Sequence, residues 1–463
     1  MNHPPIFVND TSVPSFMSCL LSRKIIFNLI YLPKIIHMTN ENSEAKKAFD
    51  HISSTHNLEN IIDSIKKKVP ISESASAIPV EGKPTVEGTK KRIHFLAERQ
   101  KRFEFLTGEK AFSDIESLEG NIENYVGMTM VPTGVIGPLH VIGTDARGDY
   151  YVPLATSEGA LVASYNRGAR ATRMAGGITS ICYLEALQRS PVFKFNDMGD
   201  LGKFLVWVIP QMPKFQEITV GNSRFAKLID LGANIEGNHL ILTMEFKTGD
   251  AAGQNMVTLC TEAICQYIIE NAPIQPNFWF IEGNYSGDKK ATARSFTHVR
   301  GKKVSAEVTL EREIVEKILR TTPEMMAEYW HTSTVGVIQS GAFGAQGHVA
   351  NGLCALFMAT GQDVACVAEA AVGITRMELT ESGGLYASVT LPNLVVGTVG
   401  GGTGLPTQCE CLALMECYGA GNARKFAEIC GALVLSGELS IAAALSAGHF
   451  ASAHKKFGRK SMK

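Results

Sequence analysis

The chain has 463 residues, of which 45% are hydrophobic and 19% are charged, and its formal net charge is −1. This length predicts about two or three domains, and the composition is that of an ordinary globular protein. A charge so close to zero argues against the basic surfaces that bind nucleic acid or acidic membranes. No uncharged apolar run reaches the roughly 18 residues of a spanning helix, so no membrane association is expected.

The cysteines are scattered and form no Cys-x-x-Cys pair. Most lie inside apolar helical runs such as 353–357, which is typical of reduced, packed thiols in a cytosolic protein. The pattern indicates neither a disulfide framework nor a metal site, and we expect a cytoplasmic location.

The N-terminus is ambiguous. Residues 1–37 mix apolar residues with Arg23, Lys24 and Lys34, and one interpretation is a targeting or membrane-surface segment. However, two adjacent basic residues interrupt the apolar core, no small-residue cleavage site follows, and Met38 opens a polar stretch where translation could begin. We expect residues 1–37 to be an unstructured or untranslated leader.

Residues 38–126 are predicted to form a helical N-terminal region, in which charged helical stretches flank a linker rich in Ser, Pro and Gly. Segment 124–143 mixes glycine and proline with Val and Ile, which predicts a turn-rich strand. The pattern becomes helical from Glu158 to Met174, with Thr156 and Ser157 available as N-caps.

The chain changes character between residues 192 and 281. Alternating apolar runs predict strands over 204–209 and 239–244, and a helical pattern over 255–271 follows. These elements predict a compact α+β unit inserted into the rest of the chain. Beyond residue 305 the sequence is mostly helical, and the predicted helices are 310–320, 348–360, 408–417 and 421–456.

The most informative segment is 283–290, Gly-Asn-Tyr-Ser-Gly-Asp-Lys-Lys. Its glycines and asparagine favour a turn over a regular element. A lysine on such a loop can aim its ammonium at one point, and a bonded acid such as Asp288 keeps it there. The alternative is a solvated charged turn.

Two carboxylates elsewhere could join this lysine. Glu158 has apolar neighbours on both sides, so partial burial is expected to favour the protonated form that a general acid requires; the alternative is a helix-dipole partner. Asp363 follows an apolar helix, where the dipole disfavours an acid, so a lysine partner would explain its placement. An exposed loop aspartate is the alternative.

One histidine and two small-residue segments complete the candidates. His454 follows a long apolar helix and could donate a proton from a mobile tail, although a surface or C-cap role is the alternative and His348 and His449 are rivals. Segment 250–255 leaves bare N–H groups before a helix, which suits a phosphate, and 400–404 is equally glycine-rich. Neither is a Gly-x-Gly-x-x-Gly motif opening a βαβ unit, so a Rossmann fold is not supported.

Together these stretches resemble the 3-hydroxy-3-methylglutaryl-coenzyme A reductase family over roughly residues 90–458. The matching motifs, in the family's order, are 123–124 with 134–139, 155–159 with 166–168, 250–256, 283–285 with 288–290, 359–363, 397–403 and 436–440 with 447–449. Asp-Lys-Lys in a loop after the inserted unit looks like the class I form.

The resemblance implies an α+β fold, with a mostly helical large domain and a smaller inserted α+β (ferredoxin-like) cofactor domain. The implied boundaries are 127–190 with 292–463 for the large substrate-binding domain, 191–281 for the dinucleotide-binding domain and 282–291 for the catalytic loop. It also implies a homodimer with shared active sites, and further a homotetramer.

The implied reaction reduces the thioester to mevalonate and coenzyme A with two hydrides from NADPH, through mevaldehyde. Lys289 would stabilise each oxyanion, His454 would protonate the departing thiolate, and Glu158 would protonate the aldehyde oxygen. Asp363 would bind both Lys289 and Glu158. NADH stays open as the donor, because no 2′-phosphate pocket can be identified from the sequence.

The resemblance also implies the binding residues. Those for the hydroxymethylglutaryl group are Arg189, Glu282, Asn284, Lys290, His348 and Asn351. Those for the dinucleotide are Asp250, Gly253, Gln254, Asn255, Met256, Gly400, Gly401, Gly402 and Thr403. Two departures from the family pattern leave a diverged reductase of another acyl thioester as the alternative. Glu282 replaces a common serine, and His331 lies near the position of a lysine that anchors the substrate carboxylate.

Overall fold

The computed structural model describes residues 85–97 and 115–448. The chain divides into two units, Met1–Ala77 and Ile78–Lys463, and all described residues belong to the second. The predicted leader, much of the predicted N-terminal helical region, His449 and His454 lie outside the described residues.

Helices and strands alternate along this unit. The longer helices are α1 (Val86–Ala97), α2 (Leu161–Met174), α3 (Met198–Val208), α4 (Met212–Asn222), α5 (Gln254–Asn271), α6 (Pro323–Ser340), α7 (Val349–Thr360), α8 (Pro406–Leu414) and α9 (Ala423–Ser446). Shorter helical turns are Ile115–Leu118, Ile209–Gln211, Ala293–Phe296, Arg312–Ile314, Val315–Leu319, Val364–Cys366, Val367–Ala370 and Gly401–Gly404. The strands are β1 (Thr133–Gly143), β2 (Arg147–Ala155), β3 (Ile178–Arg189), β4 (Val192–Lys194), β5 (Lys227–Glu236), β6 (His239–Lys247), β7 (Phe278–Phe280), β8 (Gly301–Leu310), β9 (Ile374–Leu379) and β10 (Leu385–Leu394).

The strands join into one sheet in the order β7-β4-β6-β3-β8-β10-β9, with β1 paired to β2 and β3, and β5 paired to β6. Strand β3 connects the two parts of this sheet. Its first part pairs antiparallel with β8, and its end, Leu187 to Arg189, pairs antiparallel with β6. Strands β4 to β7 and helices α3 to α5 lie between residues 192 and 280, and the predicted α+β class is confirmed.

Some predicted elements differ from the observed ones. Residues 204–209, predicted as a strand, lie mainly in α3, which Asp197 caps by accepting the N–H of Asp200 at 2.9 Å. Leu201, Phe204 and Val208 are buried there while Val206 is 78% exposed, so the apolar run covers more than one helix face. Strands β9 and β10 were not predicted, although the first residues of β10, Leu385 to Thr390, alternate between buried apolar side chains and less buried Tyr, Ser and Thr.

Helix α9 is the central helix of the core. A Cβ added at Gly168 of α2 would lie 1.9 Å from the Ser436 carbonyl oxygen, and one at Gly431 would lie 2.6 Å from Val304 of β8. Glycine at these positions therefore lets α9 approach both α2 and the sheet. Helix α9 is long and apolar enough to cross a membrane, but 83% of its most apolar stretch is buried within the protein. It is a core helix of this fold.

Candidate active site

The loop 282–291 brings Lys289 to Asp363. The Lys289 Nζ lies 2.9 Å from Asp363 Oδ2, and the two side chains are 43% and 37% exposed. The hydrogen bond that Lys289 donates to Asp363 is the main reason that the pKa of Lys289 is raised, against a smaller opposite effect of burial. Lys289 therefore remains an ammonium at neutral pH, fixed on an accessible surface of the described chain.

The position of Asp363 follows from how α7 ends. Gly361 terminates the helix with φ 68°, and a Cβ there would lie 2.1 Å from the Gly402 carbonyl oxygen. Asp363 then caps the next turn, since its Oδ1 accepts the N–H of Ala365 at 3.1 Å. The acid thus has two stabilising partners, Lys289 and this N-terminus, which offset its unfavourable place behind α7.

Asp288 has a different role from the expected one. Its carboxylate faces inward, where Oδ2 accepts from Arg189 Nη1 at 2.8 Å and Oδ1 pairs closely with Arg300. Burial alone would raise the pKa of Asp288, but these two arginines outweigh it and lower the pKa. The acid that hydrogen-bonds Lys289 is therefore Asp363, and Asp288 anchors the loop to the protein.

Glu282 and Arg189, both predicted to bind substrate, also contact the loop. Glu282 accepts the backbone N–H groups of Tyr285, Ser286 and Ser190 at 3.2, 3.4 and 3.3 Å, and lies 3.7 Å from Arg189 Nη1. A side chain that accepts two loop N–H groups and that of Ser190 after β3 shapes the loop and ties it to the sheet. The structure therefore gives Glu282 a loop-forming role.

The remaining loop residues of the prediction differ in their contacts. Asn284 adopts φ 61°, a left-handed conformation that asparagine tolerates better than most residues. Lys290 is exposed and donates from Nζ to the Asp288 carbonyl oxygen at 2.9 Å. Both predicted substrate-binding residues thus belong to the same tight turn as Lys289.

Glu158 lies in a loop and not in a helix as predicted. Helix α2 begins at Leu161, its N-cap Ala160 has φ 74° without a side-chain cap, and Thr156 Oγ1 instead accepts the N–H of Glu158 at 2.9 Å. The Glu158 side chain is exposed in the single chain, so the expected burial by its sequence neighbours was wrong. Its carboxylate Oε2 accepts from Asn351 Nδ2 at 2.8 Å.

His348 is held beside Asn351 at the start of α7. Glu438, a buried acid of α9, accepts from the His348 N–H at 2.8 Å and lies 3.3 Å from His348 Nδ1. The Tyr165 ring stacks on the imidazole with centroids 5.2 Å apart. Burial would raise the pKa of Glu438, but His348 and the backbone donors lower it. Glu438 therefore orients the histidine, since a partner at one ring nitrogen fixes the tautomer.

The predicted residues form two clusters at opposite ends of α7. We call Lys289 with Asp363 the lysine cluster, and Glu158 with His348 and Asn351 the glutamate cluster. Helix α7 has 12 residues, and a rise of about 1.5 Å per residue makes it about 18 Å long. Within the described residues no hydrogen bond joins Glu158 to Asp363, so the predicted Asp363–Glu158 contact does not form inside one chain.

The two predicted dinucleotide segments adjoin each other. Ala251 pairs with Val399 in an isolated bridge, Thr398 donates its N–H to the Asp250 carbonyl oxygen at 2.8 Å, and a Cβ at Gly397 would lie 2.4 Å from the Ala252 nitrogen. The Asp250 carboxylate is used structurally, because it accepts two N–H groups at the start of α9. The fold thus brings 250–256 and 397–403 to one surface.

Open backbone characterises this surface. Gly253 has φ 84° and caps α5, whose first turn contains Gln254, Asn255 and Met256. Gly400 and Gly401 have φ 77° and 56°, and a Cβ on either would meet nothing within 4 Å. Thr403 is buried, and its hydroxyl donates a hydrogen bond to the Gly400 carbonyl oxygen at 2.7 Å, which fixes the turn. A helix N-terminus beside an uncrowded glycine turn is suited to phosphate groups.

Sequence reasoning missed several residues of this region. Glu438 lies in a motif that the resemblance singled out, but no local pattern shows which histidine it contacts. Arg167 of α2 donates to Ser440 Oγ at 3.1 Å, and burial and the nearby cation of Arg320 lower its pKa. Two close cations can attract an anion, and only the fold brings residues so distant in sequence together. His331 lies exposed on α6.

Comparison with known proteins gives a consistent result. The family model for hydroxymethylglutaryl-coenzyme A reductase matches residues 88–459. The protein named 3-hydroxy-3-methylglutaryl-coenzyme A reductase from Pyrococcus abyssi is 44% identical over 359 residues, covering 76% of this chain and 88% of that protein. The protein of the same name from Pyrococcus horikoshii is 45% identical over 351 residues, covering 74% of this chain and 85% of that protein.

A solved structure shares the fold. It is the class II 3-hydroxy-3-methylglutaryl-CoA reductase from Streptococcus pneumoniae bound to NADPH, and it superposes with a TM-score of 0.58 at 20% sequence identity. The match covers 77% of this chain and 86% of that one. At this identity the likeness establishes the architecture alone.

Proposed function

This chain belongs to the hydroxymethylglutaryl-coenzyme A reductase family, and from that premise we propose that it reduces 3-hydroxy-3-methylglutaryl-CoA to mevalonate and coenzyme A. The observation that supports this activity best is the Lys289–Asp363 pair at 2.9 Å. It supplies a fixed cation on an accessible loop, as the reduction of a carbonyl group requires. Two molecules of NADPH would each supply one hydride, and the residues of this chain bind and orient the substrate and donate the protons.

Lys289 stabilises negative charge on the substrate oxygen. The oxyanion that develops at each reduction needs a cation already in place, because a preorganised charge requires little rearrangement during the reaction. Asp363 keeps that cation protonated and directed, which the raised pKa of Lys289 supports. Glu158 donates a proton to the aldehyde oxygen in the second reduction, and His454 protonates the thiolate that leaves after the first.

The surface formed by 250–256 and 397–403 is proposed to bind NADPH. The open turn at Gly400 and Gly401 leaves room for a close ligand, and the first turn of α5, with Gln254 to Met256, offers unpaired N–H groups for phosphate. The end of α7 approaches Gly402, so the turn lies near the lysine cluster. NADH remains the alternative donor.

The substrate is proposed to lie between the clusters. Asn284 and Lys290 belong to the same turn as Lys289, and His348 and Asn351 lie beside Glu158. Arg189 and Glu282 act through the loop, because their charged atoms already contact Asp288 and the loop backbone. The cations of Arg167 and Arg320 suit the phosphates of coenzyme A.

Two chains are proposed to complete each site. The glutamate and lysine clusters lie at opposite ends of α7, about 18 Å apart by helix rise, whereas proton donation requires hydrogen-bond reach. In a symmetric dimer the glutamate cluster of one subunit can meet the lysine cluster of its partner. A homodimer is therefore the smallest active form proposed, a tetramer is compatible with it, and a cytoplasmic location fits the free cysteines of the described chain.

The decisive test is an assay of purified protein with 3-hydroxy-3-methylglutaryl-CoA, following NADPH oxidation and mevalonate formation. Turnover that is lost in Lys289→Ala supports the proposal. Oxidation of NADPH only with a different acyl thioester would instead favour a diverged reductase. This second candidate is kept because Glu282 replaces the usual serine. No oxidation with any thioester would overturn both.

A further inference from the structure

A buried carboxylate lies directly behind the catalytic loop and has no part in the proposed chemistry. Glu369 belongs to the short helix Val367–Ala370, and its side chain is fully buried. Oε1 accepts the backbone N–H of Lys289 at 3.1 Å, and Oε2 lies 2.6 Å from Arg300 Nε. One acid therefore connects the backbone of the catalytic lysine to a buried arginine.

Arg300 extends this connection to the residue before Lys289. It is 3% exposed, pairs closely with Asp288 Oδ1, and donates from Nη1 to the Gln188 carbonyl oxygen at 2.9 Å. Asp288 Oδ2 in turn accepts from Arg189 at 2.8 Å. We call this alternating series, Glu369–Arg300–Asp288–Arg189, the ion chain. It holds two successive loop residues, one by its side chain and the other by its backbone.

The backbone of Lys289 needs such support. Its φ is 55°, in the left-handed region that side-chain-bearing residues rarely adopt. A conformation of this kind persists only where the surroundings fix it. The hydrogen bond to Glu369 acts at the residue itself, and the direction of the lysine side chain toward Asp363 depends on that backbone conformation.

We propose that Glu369 is a positioning residue for the reduction: its carboxylate holds Lys289 in the conformation that directs Nζ to Asp363, and loss of its charge releases the loop. The inference rests on the proposed function. The charged and titratable groups around Glu369 are Arg300 and Asp288 of the ion chain, Lys289 and Asp363 of the lysine cluster, and the buried thiol of Cys366.

The charge of Glu369 changes near neutral pH. Burial raises the pKa of Glu369 to about 7, although Arg300 and the Lys289 N–H act in the opposite direction. Protonation places an O–H against N–H donors that need an acceptor, so one of the two hydrogen bonds weakens. Turnover is therefore expected to fall as pH decreases through about 7.

The test compares the pH dependence of kcat in wild type, Glu369→Gln and a matched control. Wild type should lose activity on the acidic side of neutrality. Glu369→Gln should not show this loss of activity at acidic pH. Its kcat should be lowered by about 10- to 100-fold on the alkaline side, with KM changed less, because the cation of Lys289 is misplaced. Glu428→Gln is the control, since Glu428 is also fully buried and accepts backbone N–H groups at 2.7 and 2.9 Å, but in the β1–β2 turn. It should show the same loss of activity at acidic pH as wild type.

Hydrogen–deuterium exchange gives a readout that does not depend on activity. Peptides covering 283–290 should exchange faster in Glu369→Gln than in wild type, and the Glu428→Gln protein should match wild type there. An inactive wild type would count against the proposed function alone, because the exchange result would still report the loop. The positioning role would be overturned if a folded Glu369→Gln protein kept the kcat of wild type, the same loss of activity at acidic pH and the same exchange rate in the loop.

Discussion

Mixed dimers test whether two chains share each active site. Glu158→Gln disables the glutamate cluster and Lys289→Ala disables the lysine cluster, so each variant alone should be inactive. If the clusters of one site come from different chains, a mixed dimer contains one site with both mutations and one with neither. Random mixing makes half of the dimers mixed, so about a quarter of wild-type activity should return.

The expected recovery follows from the geometry of α7. The helix of 12 residues places its ends about 18 Å apart, which is far beyond hydrogen-bond reach. Asn351 holds Glu158 at one end at 2.8 Å, and Asp363 holds Lys289 at the other at 2.9 Å. Neither side chain can cross that distance while it keeps its partner.

The assay uses co-expressed variants with different affinity tags, purified through both tags so that only mixed dimers remain. These should show about half of wild-type turnover per dimer. A matched control combines Glu158→Gln with Asn351→Ala, both in the glutamate cluster, and should show no recovery. If the purified mixed dimers of Glu158→Gln and Lys289→Ala are inactive while both subunits are folded, the shared site is refuted.

Three further substitutions have defined outcomes. Glu438→Gln should lower the free energy of unfolding, measured with urea, by about 1–3 kcal/mol. Because the pKa of Glu438 is lowered in the folded state, the stability of wild type should fall toward that of the variant as pH decreases. Gly352→Ala should cost about 1–3 kcal/mol and weaken substrate binding, because the new Cβ would lie 2.3 Å from Tyr165 Oη, next to His348. Glu282→Gln should lower kcat by about two- to fivefold and speed hydrogen–deuterium exchange of residues 283–290, because Glu282 accepts the N–H groups of Tyr285 and Ser286 that shape the loop.

Local sequence signals were sufficient for some elements of the fold. The helix at 255–271 and the strand at 239–244 were predicted almost at their observed bounds, since each carries a clear period. The error at 204–209 arose because α3 is apolar on more than one face, so the run resembled a strand. Strand β10 was missed although its first residues alternate between buried apolar and less buried polar side chains, because the sequence beyond residue 305 was interpreted as mostly helical.

The chemistry of the site was easier to predict than its contacts. The resemblance implied that Asp363 binds Lys289, and the structure brings these two side chains together, whereas no residue pattern indicated the arginine partners of Asp288. Asp288 precedes Lys289 directly, yet its side chain faces two arginines, and the partner at Asp363 is 74 positions away by residue number. Sequence proximity therefore gave the wrong partner, because adjacent residues in a left-handed turn point in different directions.

The two ends of α7 explain why this helix can serve both clusters. The positive N-terminal end lies beside Glu158, where it favours a carboxylate, and the negative C-terminal end lies beside Lys289, where it favours an ammonium. Asp363 is the residue that this field opposes, and the cap at Ala365 together with the lysine offsets that cost. In an isolated chain the Glu158 side chain is exposed. Its proposed role as a proton donor therefore requires the desolvation that a second subunit and bound substrate provide.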